Sequence, residues 1–222
     1  YTCIAMHPYY ETGWSRNLVY PHIGFDEMHF IDYFDQTKIL REYITDQELY
    51  DKIIKRYENR KNNEKLFFMG ITMQNHGGYT ETYDNFPENY YKVGRSYTDA
   101  NQYLSLVHES DEAVKNLISY FSKVDDPVEI IFFGDHQPSL NSNFYPILNG
   151  KGLTGLTEDE LEKLYTVPFF IWTNYDTPEE TVDITSLDYL STMALERAGI
   201  ELPAYNKFLA DMQEVVPAIN SR

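Results

Sequence analysis

Three histidines in this chain each follow directly on an apolar run. His7 comes after TCIAM, His76 after GITMQN and His136 after IIFFGD, where it stands beside Asp135. A carboxylate oxygen next to an imidazole nitrogen supplies two ligands for a divalent ion, and imidazole is the side chain best suited to moving a proton near neutral pH. A lone histidine after a strand is more often structural, but three at corresponding strand ends point to a shared site. Just beyond His7 lie Trp14 and Arg16. The planar fork of arginine matches phosphate or carboxylate oxygens, and an indole can wall a pocket or stack on a sugar or glycerol moiety. The other histidines, His22, His29 and His108, fall in helical or loop surroundings and are given no direct role.

The elements that must position these residues read clearly. TCIAM, Lys65 to Met73, Val128 to Gly134 and Val167 to Thr173 are short runs rich in Ile, Val and Phe. Such runs suit strands covered on both faces, as in a parallel sheet. Helical periodicity covers Asp46 to Arg60, with acids in its first turn and bases in its last. It recurs over Thr98 to Phe121, capped by Ser96 or Thr98, and over Ser186 to Ala198 and Tyr205 to Val216, which the AGIELP break separates. The order predicts an α/β fold, a mostly parallel sheet sandwiched by helices, within a single domain spanning residues 1–222. Ligands of open α/β sheets lie outside the carboxyl ends of the strands. His7, His76 and the Asp135–His136 pair are therefore expected to converge there, with Trp14 and Arg16 on the rim. The long loop from Gln74 to Arg95 is of a length that usually serves a function.

Composition narrows the partners. Eighteen basic residues against 35 acidic ones give a formal charge of -17, which repels nucleic-acid backbones, so nucleic acid is excluded as a partner. Cys3 is the only cysteine, so no intrachain disulfide and no multi-cysteine metal site can form. No apolar run reaches the roughly 20 residues that cross a bilayer. The opening YTCIAMH enters a strand without an initiator methionine, and we read the chain as part of a longer protein. Its 20 tyrosines, many in polar company, suit a wet concave surface as well as a core.

Taken together, these segments resemble a family: the lipoteichoic acid synthases and related phosphoglycerol transferases, sulfatase-like members of the alkaline phosphatase superfamily. The matching pieces run in the family's order. They are His7, Trp14 and Arg16 followed by GFDEMHFIDYF, then MQNHGGY around His76, SDEAVKNLISYF leading to FFGDHQP, and finally TVPFFIWTN and LERAGIELP. The resemblance implies an alkaline phosphatase/sulfatase-like fold lacking its first βα unit. It implies that Asp135 and His136 bind a catalytic divalent ion, Mn2+ first, with Mg2+, Zn2+ or Ca2+ as alternatives. It places His76 beside the reacting phosphoryl group as a proton donor to the leaving alcohol, and His7, Trp14 and Arg16 around the phosphoglycerol moiety. The implied partner is a phosphoglycerol-bearing lipid or glycan, and the implied location is the extracytoplasmic face of a bacterial membrane, reached through segments outside this chain. The family's nucleophilic threonine and a further acidic ligand have no counterpart here. Ser139 and Ser142, which follow the metal pair, are poor substitutes because no helix N-terminus stands directly behind them. Two other readings remain open: a sulfatase or phosphodiesterase on the same fold, and a non-catalytic glycan-binding surface module.

Overall fold

The computed structural model of the chain describes residues 1–86 and 97–219. Ser96, the alternative helix cap, and the second half of the expected 74–95 loop lie outside the described residues. The backbone forms two compact units, Tyr1–Tyr120 with Gln137–Tyr165, and Phe121–His136 with Thr166–Arg222.

The first unit is built on β1 (Thr2–Met6). After it come the single-turn α1 (Arg16–Val19), β2 (Glu27–His29), the two-residue strands β3 (Ile39–Leu40) and β4 (Tyr43–Ile44), and α2 (Asp46–Glu58). Then follow β5 (Leu66–Gly70) and the long α3 (Thr98–Phe121), which ends at the unit's boundary. β1 lies between β2 and β5 and is parallel to both, with Ile4 opposite Glu27 on one side and Phe68 on the other. Its last three residues are fully buried, as its unbroken apolar run requires. α2 starts where Thr45 caps it, the side chain accepting from the Glu48 N–H at 3.2 Å. Its buried Leu49 and Ile53 press on the end of β5. A Cβ at Gly70 would stand 3.3 Å from Ile53 Cδ1 and 3.5 Å from Leu49 Cδ2, so the missing side chain is what lets helix and strand approach. Burying a leucine such as Leu49 contributes about 2–3 kcal/mol.

Sequence periodicity did not disclose β2. Its EMH is too short and too polar to stand out, and its register comes from an ion-pair strap instead. Arg56 of α2 bonds Glu27 and Glu64, both at 2.8 Å, and Glu64 in turn accepts from the Thr2 hydroxyl at 2.9 Å. The strap ties β2, the start of β1 and the turn before β5 to one helix. It also corrects the reading of His29, which lies on a strand rather than in a loop or helix. Two short helices complete this unit, α4 (Tyr145–Asn149) and α5 (Glu158–Glu162), the latter opened by a capping box between Thr157 and Glu160.

The second unit contains β6 (Glu129–Phe133), β7 (Phe169–Thr173), α6 (Leu187–Arg197) and α7 (Ala204–Val215). Contrary to the parallel expectation for these strands, β6 and β7 pair antiparallel, with Phe132 opposite Phe170 and their rings stacked at 5.3 Å. The two strands form a two-stranded sheet of their own; a continuous apolar run reads alike in either direction, and the return path of the connection decides it. Asn174 fixes the entry to β6. Its side-chain oxygen accepts from Val128 N at 2.7 Å, and its amide donates to the carbonyls of Phe121, Val124 and Asp126. α6 ends in a Schellman turn on Gly199 at φ 64°, with Ile200 N donating to Leu195 O at 2.9 Å. α7 returns along it, where the fully buried Tyr189 donates to the Val216 carbonyl at 2.8 Å. Among the described residues no helix is long and apolar enough to cross a membrane.

Candidate active site

In the first unit, three of the residues selected from sequence gather around the indole of a fourth, Trp14. The ring of Trp14 lies 5.9 Å from that of His7 and 6.4 Å from that of His76, and the Arg16 guanidinium stands 4.4 Å above it. Each arrives by a different route.

His7 continues β1 by one residue, its N–H still bonded to His29 O at 2.9 Å. The parallel pairing that fixes β1 thus fixes the imidazole. The side chain is only 1% exposed, with Nδ1 3.0 Å from the Ile71 carbonyl. A carbonyl can only accept, so Nδ1 carries the proton and Nε2 is left as a bare acceptor, buried and without a partner among the described residues. Burial, and secondarily the nearby Arg16 charge, push its pKa down to about 4 against the opposing Ile71 bond, so the ring is neutral at physiological pH.

Trp14 and Ser15 both adopt left-handed backbone, φ 52° and 56°. For non-glycine residues this costs on the order of 1 kcal/mol each, and it turns a largely exposed indole toward the histidines. Gly13 enters the turn, where a Cβ would lie 3.0 Å from the Tyr9 ring. Arg16 holds it from the far side. Its Nε donates to the Tyr20 hydroxyl at 2.9 Å and one terminal nitrogen to Gly13 O at 3.2 Å. The other terminal nitrogen has no protein partner among the described residues.

His76 projects from the loop after β5, exposed at its tip. That loop is clamped by residues the sequence reading passed over. Arg41, itself at φ 57° and 5% exposed, donates to the carbonyls of Gln74 at 2.9 Å, His76 at 2.8 Å and Gly78 at 3.2 Å, and to Gln102 Oε1 at 3.0 Å. The rings of Tyr43, Tyr79 and Tyr83 surround its guanidinium at 5.4–6.0 Å. Burial pulls its pKa below the usual arginine range, with the tyrosines opposing. Beneath the loop, Asp46 is completely buried and accepts from the Ser110 hydroxyl, while its backbone N–H donates to Gln74 Oε1 at 3.1 Å. Asn75 also donates to Ser110, at 2.9 Å. Burial lifts the Asp46 pKa to about 6, against its hydrogen bonds with Ser110, Gln74 and Thr72. The Tyr43 hydroxyl reaches His76 Nδ1 at 3.3 Å. The signal available in sequence was the charged Arg41-Glu42 between the apolar pairs Ile39-Leu40 and Tyr43-Ile44, which is a hairpin tip whose arginine points inward.

Asp135 and His136 belong to the second unit. Gly134 delivers them. A Cβ there would lie 3.1 Å from Val167 Cβ, so only glycine passes this point without displacing β7's approach. Both side chains are exposed, 83% and 75%, with Asp135 Oδ2 3.7 Å from His136 Nε2 and Asp135 Oδ1 accepting from His136 N at 2.9 Å. That separation lets one ion touch both donors, and an oxygen with a nitrogen suits Mn2+ or Zn2+. Among the described residues no three His, Cys, Asp or Glu side chains group as a metal site, and this pair offers two donors. Ser139 and Ser142 are exposed loop residues. His22 is exposed at the end of the 3-10 helix Tyr20–His22, and His108 lies within α3. His29 bonds Glu27 at 3.2 Å and stacks on Tyr33 at 3.9 Å, a structural role.

A Rhizobium meliloti (strain 1021) protein named for modification of cyclic beta-1,2-glucan is 27% identical over 222 residues, covering 96% of this chain and 34% of that one. A lipoteichoic acid synthase from Staphylococcus saprophyticus is 30% identical over 142 residues, 61% of this chain and 21% of that one. The chain thus spans about a third or less of these curated relatives. Among solved structures, the phosphoglycerol transferase GacH of Streptococcus pyogenes, in complex with sn-glycerol-1-phosphate, superposes with a TM-score of 0.78. It is 21% identical, over 99% of this chain and 56% of that one, and so speaks for the fold. Residues 1–200 match the family described as Sulfatase, and with that match extending over most of its length the chain belongs to the sulfatase family.

Proposed function

We propose that this chain takes part in the transfer of phosphoglycerol, or a related phospho-headgroup, to a cell-surface glycan or lipid on the extracytoplasmic side of a bacterial membrane. The observation that carries this reading is the cationic and aromatic cluster of His7, Trp14, Arg16 and His76 on a chain of net charge -17. Phosphoryl transfer requires neutralisation of nonbridging oxygens and a positioned acid at the leaving oxygen. Arg16 has a terminal nitrogen to offer a phosphate. Trp14 offers a face to glycerol carbons. His7, held neutral with a bare Nε2, accepts from a glycerol hydroxyl. His76, exposed at the loop tip, donates a proton to the departing alcohol. Asp135 and His136 would hold a divalent ion, Mn2+ for preference, which when bound neutralises phosphoryl charge.

Calorimetric titration with sn-glycerol-1-phosphate tests the headgroup assignment. Arg16→Met and Trp14→Ala should each weaken binding tenfold or more, since a charge-assisted phosphate contact and a stacking face are lost. Binding that is equal in both variants and the unmodified chain would refute the assignment.

A further inference from the structure

The contact between Tyr43 and His76 has a chemical direction. The phenol oxygen lies 3.3 Å from Nδ1, and the two rings meet edge to face with centroids 5.6 Å apart. Of the two groups the phenol is the better donor and a neutral imidazole nitrogen the better acceptor. Burial, and then the neighbouring Glu42 carboxylate, hold the Tyr43 pKa above the ordinary tyrosine value, so the hydroxyl keeps its proton. The neighbourhood leaves the ring little freedom to choose otherwise. Arg41 fixes the His76 carbonyl at 2.8 Å, the His76 N–H bonds Met73 O at 2.9 Å, and the Tyr79 hydroxyl donates to Asn75 O at 2.7 Å, one residue earlier. Backbone position is therefore set from three sides, and Tyr43, on β4 of the same hairpin that carries Arg41, sets the ring.

We propose that Tyr43 is a positioning residue that fixes the tautomer of His76, its O–H donating to Nδ1 so that the hydrogen resides on Nε2. Among the described residues Nε2 has no hydrogen-bond partner, so that hydrogen is presented outward from the loop tip. This deepens the proposed function and rests on it for its consequence: a neutral imidazole can meet the leaving oxygen as a hydrogen-bond donor only through a nitrogen that carries hydrogen and faces the substrate, and Tyr43 keeps the hydrogen there. A phenol does this without adding negative charge beside a phosphate, which the more usual carboxylate orienter would do.

The test is the nitrogen-15 spectrum of the His76 ring at pH 8, with the resonance assigned by its loss in His76→Gln. The unmodified chain should show a pyridine-like Nδ1 and a pyrrole-like Nε2. In Tyr43→Phe the two shifts should converge as the tautomers average. Tyr79→Phe, which loosens the same loop without touching the ring, should leave them apart. A pyrrole-like Nδ1 in the unmodified chain overturns the proposal whatever the variants do. So does a Tyr43→Phe spectrum unchanged from the parent, or a Tyr79→Phe spectrum that converges equally. None of these readouts involves glycerol phosphate, so failure of the headgroup assignment is seen separately in the titration above.

Discussion

Acidification should act on the first unit through two buried groups of opposite sign, and single substitutions should separate them. His7 titrates at its ordinary 6.5 in the unfolded chain but only near 4 when folded, so lowering the pH favours the unfolded state across that interval. Asp46 does the reverse: the folded chain takes up its proton near 6, before the unfolded chain does at 3.8, so lowering the pH through that window favours the folded state. Between pH 7 and pH 5, proton linkage gives a loss of about 2 kcal/mol from His7 and a gain of about 1 kcal/mol from Asp46. The unmodified chain should therefore lose only about 1 kcal/mol over these two pH units from the pair. His7→Asn, which keeps a donor for the Ile71 carbonyl but cannot titrate, should gain about 1 kcal/mol on the same acidification. Asp46→Asn should lose about 2 kcal/mol. Urea unfolding at the two pH values, followed by Trp14 fluorescence in a Trp172→Phe background, measures the difference for each variant. If His7→Asn shows the same pH slope as the parent, the imidazole is not held neutral by burial, and the picture of a bare buried Nε2 awaiting a ligand falls with it.

Arg41→Met should cost about 3–5 kcal/mol by denaturant midpoint, because it removes four hydrogen bonds and leaves the carbonyls of the 74–78 loop unmet; a cost below about 1 kcal/mol would mean the clamp is ornamental. Gly134→Val should destabilise the second unit by about 1–3 kcal/mol through collision with Val167, seen as a lowered midpoint in Trp172 fluorescence with Trp14 replaced by Phe. Titration with Mn2+ should give weak binding, with Kd no tighter than about 0.1 mM for a site of two exposed protein donors, and Asp135→Ala should abolish it. Tighter binding that survives Asp135→Ala would place the ion elsewhere.

Periodicity and strand-end position made much of this arrangement legible. Val107, Val114, Leu117 and Phe121 mark α3 to its final residue, and Gly199 with Pro203 mark the turn between the closing helices. His7 and His76 could be selected because a histidine directly after an apolar run is conspicuous against its surroundings. Trp14 and Arg16 were legible as types, but the consecutive left-handed residues that bring the indole to both histidines were not, since neither Trp nor Ser advertises positive φ. The supporting shell was hidden for a different reason. Arg41, Asp46, Gln74 and Ser110 are polar residues that a linear reading assigns to the surface; they are buried because they satisfy one another across separations of 28 to 64 residues. β2 and the direction of β7 share that cause, being set by partners far away in the chain.

The order β2-β1-β5 has a consequence in time. In this parallel sheet β1 cannot close a hairpin with either neighbour: Ile4 waits for Glu27 and for Phe68, so more than 60 residues must be synthesised before both its edges are covered. At translation rates of about 5–20 residues per second, the TCIAM segment spends roughly 3–12 s outside its final sheet, an apolar strand with two open edges. Such long-range closures also place the first unit among slowly folding topologies, where the loop entropy is spent before the contacts form. A nascent chain of this kind needs its β1 shielded until α2 and β5 arrive, and refolding yield from denaturant should fall steeply with protein concentration for the same reason.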